Sequence, residues 1–270
     1  MTTNLSLGSL GFYAVSLGLY IWLLFSNRRS IGRAATLCLA GGLVLHYLAL
    51  LERARQIHSV PYQDLYGSLS LFAWLLAATY LGLEIFHRQR SVGPFVLPCV
   101  FVLLLLANFT AATPALPPPA GGPLFAFHVT LNILAYSAFA LSFVLSLIYL
   151  LQHRLLRDRR LGTTFWRLPA LEVLERMSRS SAIVGLATLC LGMVLGFVWA
   201  HRILGRFWSA DPKEIATLLI LAAYGAYVWL AGRAAWRGAR ASLLCVFSFF
   251  FVVFSYSVVN LYLSRYHRYF

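Results

Sequence analysis

Residues 125–151, FAFHVTLNILAYSAFALSFVLSLIYLL, contain no lysine, arginine, aspartate or glutamate. A helix of this length, rising about 1.5 Å per residue, is long enough to cross the roughly 30 Å hydrocarbon core of a bilayer. The rest of the chain repeats this pattern, being 60% hydrophobic and only 11% charged, against about 25% charged residues in soluble proteins. The sequence therefore predicts an all-α fold, a polytopic integral membrane helical bundle.

Eight transmembrane helices are expected, because backbone groups that cross lipid must be hydrogen-bonded internally. The apolar runs that define them are 7–26, 34–51, 65–86, 92–111, 125–151, 181–200, 214–232 and 241–263. An even number of spans places both termini on the same side. The whole chain, 1–270, is expected to form a single membrane domain.

The distribution of arginine predicts the orientation. Fifteen of the 22 basic residues lie in the connections 27–33, 87–91, 152–180 and 233–240. The positive-inside rule places these connections in the cytoplasm and both termini outside, in a bacterial cytoplasmic membrane. The net charge of +14 is divided among short clusters, a pattern typical of topology signals rather than of a nucleic-acid-binding surface.

The longest inner connection, 152–180, is expected to contain an amphipathic helix. Its second half carries apolar residues at helical spacing, which predicts a helix lying along the lipid headgroups. These residues are Phe165, Leu168, Leu171, Leu174 and Met177.

The outer connection 198–214, VWAHRILGRFWSADPKE, contains several of the chain's few charged residues close to aromatic residues. Asp211 is expected to be the N-cap of span seven, with Pro212 at its first position and Glu214 at its third. The aromatic side chains in the segment are either members of an interfacial belt or contacts for a ligand. They are Trp199, Phe207 and Trp208.

This segment resembles the tryptophan-rich outer loop of the cytochrome c assembly membrane proteins of the CcsA (ResC) and HemX type. The family pattern is G-x-V-W-A-x-x-x-W-G-x-[YF]-W-S-W-D-P-K-E. Residues 60–74, VPYQDLYGSLSLFAW, and 258–269, VVNLYLSRYHRY, resemble two further family elements. The chain matches the loop pattern at Gly196, Val198, Trp199, Ala200, Gly205, Phe207, Trp208, Ser209, Asp211, Pro212, Lys213 and Glu214.

The resemblance implies that the outer loop 198–214 handles haem b, a transient ligand, at the outer membrane face. His128 and His267 are then the axial ligands of the iron. The rings of Trp199, Phe207 and Trp208 would contact the porphyrin. The haem propionates would lie near cations, and the charged residues of this candidate site are Arg202, Arg206, Lys213 and Asp211.

The resemblance also implies partners: apocytochrome c, which receives the haem, and a ResB-like membrane protein. No catalytic side chain is expected, because a thioether bond forms between a haem vinyl and the client's own thiol while the protein positions them. The resemblance would then make the chain a subunit of a cytochrome c haem lyase (synthetase).

Among the other histidines, His46 lies within span two, where a polar group is costly. It is either a functional residue, included among the cofactor-binding candidates, or a residue that hydrogen-bonds a neighbouring helix. His58 and His201 lie on the outer side but off the family's ligand positions.

The chain departs from the family pattern by having Leu204, Ala210, Ala216 and Leu221 at tryptophan positions, and Trp229 near a transmembrane histidine position. These departures leave two functions open: haem delivery in cytochrome c biogenesis, and a HemX-like membrane regulator or scaffold of haem biosynthesis. A small-molecule transporter has less support, because only His46 is polar deep within a span.

Overall fold

The structure is a computed structural model that describes residues 2–26, 28–58, 60–62, 64–110, 122–159, 168–208 and 211–257. Eight α-helices and one short 3-10 turn, Ala234–Trp236, are its main elements in these ranges, and α8 continues into a π-helical turn over residues 255–257. The helices are α1 (Thr2–Ser26), α2 (Arg29–Ile57), α3 (Leu65–His87), α4 (Gly93–Phe109), α5 (Pro123–Arg157), α6 (Leu171–Leu204), α7 (Pro212–Ala231) and α8 (Ala239–Phe254).

The expected all-helical membrane bundle is confirmed. Seven helices are long and apolar enough to cross a membrane, and α4 is a shorter apolar helix. Several helices extend beyond the apolar runs that predicted them. Hydropathy marks only the part of a helix that crosses lipid, whereas polar turns such as 52–57 of α2 continue the same hydrogen-bond ladder.

The connection 152–180 differs from its prediction. Helix α5 continues to Arg157, and α6 begins at Leu171 rather than at 181. Leu174 and Met177 are fully buried in the bundle core. The apolar stripe that suggested a helix along the headgroups therefore packs against protein, while Phe165 lies outside the described residues.

The core has two main parts that share helix α5. One buried cluster joins α1–α4 to α5 and the beginning of α6, and the other lies among α5–α8. Helices α5 and α6 form the most extensive pair. The aromatic end of the bundle is the side on which α2 and α6 finish and α3, α5 and α7 begin. The opposite side is called the arginine-rich end.

Candidate functional site

His128 lies in the second turn of α5, at the aromatic end, and is half-buried. Its Nδ1 atom lies 2.7 Å from the carbonyl oxygen of Gly192 on α6. A carbonyl can only accept a hydrogen bond, so Nδ1 carries the proton. In the neutral ring the lone pair is then on Nε2, which lies 3.5 Å from Asn132 Nδ2 and is the atom that would bind a metal in this tautomer.

Helix α6 approaches His128 closely because it has glycine at two facing positions. A Cβ atom at Gly196 would lie 2.5 Å from His128 Cε1, and one at Gly192 would lie 3.0 Å from Asn132 Oδ1. Asn132, one turn after His128, donates from Nδ2 to the His128 carbonyl oxygen at 2.8 Å. These three neighbours hold the backbone and ring of His128 in place.

Asn132 and Gly192 were not predicted from the sequence, and Gly196 was identified only as a match to the loop pattern. The two glycines form a G-x-x-x-G motif, which often marks a close contact between membrane helices. That motif was a usable signal for the glycines. Asn132 gave only the weaker signal of a polar residue within an apolar span, one turn from a candidate ligand.

Trp199 belongs to a ring cluster beside His128. Its ring centroid lies 4.8 Å from that of Phe125, which in turn lies 5.9 Å from Tyr62 and 6.1 Å from His128. Trp199 is half-buried against an apolar cluster that includes Tyr62 and Phe125. It therefore forms part of the wall behind His128.

Phe207 and Trp208 lie in a different group of rings and are exposed, at 57% and 40%. Phe207 stacks flat on His201, with centroids 4.1 Å apart and planes 2° from parallel. Trp208 lies 6.2 Å from Phe197. Large aromatic faces at this end are thus accessible from outside the bundle.

The charged residues of the predicted site lie in the last turn of α6, in the segment that follows it and in the first turn of α7. Arg202 and Arg206 are exposed, and Lys213 lies in the first turn of α7. The predicted N-cap is confirmed: the Asp211 carboxylate accepts a hydrogen bond from the Lys213 backbone N–H at 2.9 Å, and Pro212 is the first helical residue. Two exposed cations and the positive end of a helix dipole are therefore found in this segment.

Below Asp211, an apolar groove runs between α7 and α8. Its volume is about 830 Å³. Ala216, one of the positions where the family pattern has tryptophan, lies on its wall. The small alanine widens this groove, and the aromatic contacts along it come from α8. They are Phe247, Phe250, Phe251 and Phe254.

His46 is fully buried and lies apart from these groups. Its Nδ1 lies 3.2 Å from the hydroxyl of Tyr13 on α1, and its Nε2 lies 2.9 Å from the hydroxyl of Ser70 on α3. Both ring nitrogens thus have partners on neighbouring helices, which favours the hydrogen-bonding interpretation over a ligand role.

The second predicted iron ligand, His267, lies outside the described residues, as does Ala210. Trp229, at the predicted position of a transmembrane histidine, lies in the last turn of α7, at the arginine-rich end. The structure therefore brings His128 and Trp199 into one cluster. It places Phe207, Trp208 and the basic residues in the segment that follows Trp199. His46 and Trp229 lie apart from the cluster and from this segment.

Comparison with known proteins gives matches over most of the chain. Residues 62–267 match the sequence family described as "Cytochrome C assembly protein". The chain is 29% identical over 248 residues to "Protein HemX" of Brevibacillus brevis, covering 90% of each protein. It is 26% identical over 266 residues to "Cytochrome c biogenesis protein CcsA" of Gloeobacter violaceus, covering 77% of this chain and 78% of that protein.

A solved structure, "Cytochrome c Heme Lyase CcmF", superposes on 92% of this chain with a TM-score of 0.60 and 20% sequence identity. This chain spans 45% of the length of that protein. At this identity the likeness shows a shared fold.

Proposed function

Since the chain belongs to the cytochrome c assembly protein family, we propose that it binds haem b at the aromatic end and presents it to apocytochrome c. In this proposal His128 is one axial ligand of the iron, and His267 is the other. The aromatic end faces outward in a bacterial cytoplasmic membrane. The observation that carries the proposal is the hydrogen bond from His128 Nδ1 to the Gly192 carbonyl.

That bond supports a ligand role because it fixes both the tautomer and the ring plane. Histidines that bind metals commonly donate their other ring N–H to a carbonyl or carboxylate, which orients the ring and raises its basicity. The Gly196 position leaves room for the ring. A preset imidazole loses little conformational entropy when it binds iron.

The surrounding residues suit the rest of a porphyrin. Phe207 and Trp208 offer exposed aromatic faces, and contacts of this kind contribute about 0.5–1.5 kcal/mol each beyond their buried area. Arg202 and Arg206 are exposed beside them, and guanidinium groups bind carboxylates such as the haem propionates through paired hydrogen bonds. Lys213 and the N-terminus of α7 add to the positive potential.

In this proposal the chain acts by binding and orientation. Haem supplies the vinyl groups that react with the client's cysteine thiols. His128 holds the macrocycle in one orientation, and the exposed rings hold its faces, so that a vinyl edge is presented to the client. A ResB-like membrane partner would complete a haem lyase and supply the transmembrane ligand that Trp229 cannot provide.

His46 has no place in the proposed haem site. Its bonds to Tyr13 and Ser70 join α1, α2 and α3, and we assign it to the packing of these helices.

The test is to purify the protein from detergent and record its Soret spectrum and haem b content. His128→Ala should lose most of the bound haem, and His128→Gly should recover the Soret band when imidazole is added. His58→Ala is the matched control, because His58 lies at the same end as the C-cap of α2. Equal haem content and an unchanged spectrum in His128→Ala would refute the assignment.

The second candidate function is a HemX-like regulator or scaffold of haem biosynthesis. Two observations favour it: the 29% identity to "Protein HemX", and the presence of Trp229 near the position where the family pattern has a transmembrane histidine. Deleting the gene should then change cellular porphyrin levels while haem attachment to c-type cytochromes continues. Loss of all c-type cytochromes on deletion would reject this function and support haem delivery.

A further inference from the structure

The arginine-rich end of α7 carries an unusual contact on its exposed side. The Arg233 guanidinium carbon lies 3.5 Å from the centroid of the Trp229 ring. Trp229 is 59% exposed and lies in a helix long and apolar enough to cross a membrane. Tryptophan in this position is typical of the boundary between hydrocarbon and headgroups, so the guanidinium lies at headgroup level.

A second arginine reaches the same end of α7. Arg179 of α6 extends over Gly232, where a Cβ atom would lie 2.9 Å from Arg179 Nη2. Glycine therefore leaves the space that the Arg179 side chain occupies. Because Gly232 immediately precedes Arg233, both arginines lie at the end of α7.

Neither arginine is neutralised by a carboxylate in the described ranges. The ion pairs found there are Arg53–Asp64, Arg90–Glu84 and Arg154–Asp158. Glu172 and Glu175, on the same helix as Arg179, are not among them.

The Nε–H of Arg179 is buried and has no hydrogen-bond acceptor. A buried donor without an acceptor is unfavourable, and two cations at one end of a helix repel each other. An anion with several acceptor oxygens would accept the unpaired hydrogen bond and reduce the repulsion between the two cations.

We propose that Arg179 and Arg233 bind the phosphodiester of an anionic phospholipid, with its acyl chains lying along the exposed face of Trp229. Phosphate oxygens match the planar guanidinium donors. The exposed, membrane-facing tryptophan indicates an anion attached to an apolar tail rather than free phosphate. Basic clusters at the cytoplasmic ends of membrane helices recognise anionic headgroups by the same physics. The site is independent of the haem proposal.

The full chain can be tested in lipid nanodiscs, using quenching of tryptophan fluorescence by brominated acyl chains. The fluorescence of Trp229 is obtained by subtracting the fluorescence of the Trp229→Phe variant from that of the wild type. This subtraction removes the contribution of the other tryptophans. Brominated phosphatidylglycerol, diluted into unlabelled phosphatidylcholine, should quench Trp229 at a concentration about tenfold lower than brominated phosphatidylcholine does, a difference expected for a charge-assisted pair.

Arg179→Gln combined with Arg233→Gln should abolish this preference. Arg176→Gln, which changes an exposed arginine about one turn before Arg179 on α6, should leave it intact. Circular dichroism of each variant confirms that the helices are retained, and native mass spectrometry of the wild type should show retained phosphatidylglycerol.

Equal quenching by the two lipids in the wild type, or an unchanged preference in the double variant, would overturn the proposal. Displacement of phosphatidylglycerol by millimolar inorganic phosphate would also overturn it, since the site would then recognise the anion alone.

Discussion

Two polar clusters lie at opposite ends of the bundle and differ in how their polar atoms are satisfied. At the arginine-rich end, Glu84 is almost fully buried. Its Oε2 accepts hydrogen bonds from Tyr20 at 2.5 Å and Tyr80 at 2.8 Å, its Oε1 accepts one from Thr36 at 2.6 Å, and Arg90 lies 3.5 Å away. At the aromatic end, His128 is half-buried, and Phe207 and Trp208 at the same end are exposed.

The difference shows two uses of polar groups in a membrane bundle. The Glu84 cluster joins α1, α2, α3 and the residue Arg90 that follows α3, and its bonds are made within the protein. Such a cluster stabilises helix packing and has little capacity for a ligand. The His128 ring is oriented by one carbonyl and lies at the end of the bundle that also carries exposed aromatic faces, an arrangement expected of a binding site.

The largest expected effect is on the Glu84 cluster. Glu84→Ala removes the acceptor of three hydroxyl groups and the partner of Arg90, and should lower the free energy of unfolding by about 3 kcal/mol. Thermal unfolding in detergent measures it. Glu172→Ala, which removes an exposed acid from α6, should change stability by less than about 0.5 kcal/mol. If the two variants were equally stable, the Glu84 cluster would not stabilise helix packing.

The next effect is at the α5–α6 contact. Gly196→Ala places a methyl group within 2.5 Å of the His128 ring, and overpacking of this kind costs about 1–3 kcal/mol. The ring must move, so haem affinity should fall and the Soret maximum should shift. Gly225→Ala on α7 is the control, because no atom lies within 4 Å of the added Cβ. If both variants bind haem as the wild type does, the preset His128 geometry is not required.

Asp211 gives a smaller effect. Asp211→Ala removes the N-cap of α7 and should cost about 1 kcal/mol of stability, whereas Asp211→Asn should retain most of it, because asparagine is an equally good cap. Haem affinity should follow the same order if Asp211 acts by shaping the start of α7. A loss of haem binding in Asp211→Asn as large as in Asp211→Ala would instead show that the carboxylate charge itself is needed.

These clusters also show what the sequence could predict. Local signals were sufficient for the apolar spans and for the cap at Asp211, since each depends on neighbouring residues. The contact of His128 with Gly192 joins residues 64 positions apart, and it depends on the register of α5 against α6. Periodicity predicts a lipid-facing stripe through Leu174 and Met177, whereas both side chains pack in the core, because periodicity identifies one apolar face but not what covers it.

The smallest expected effect concerns His201, whose ring lies flat beneath Phe207. If His201 only supports the Phe207 face, His201→Phe should preserve the stack and haem affinity, while His201→Ala should weaken haem binding about two- to threefold, the lower range for an aromatic pair. Neither change should alter the Soret maximum. A histidine that ligated iron would behave differently, because phenylalanine offers no lone pair and His201→Phe would then shift the spectrum as strongly as His128→Ala. The two variants therefore separate a supporting ring from a ligand at the same position.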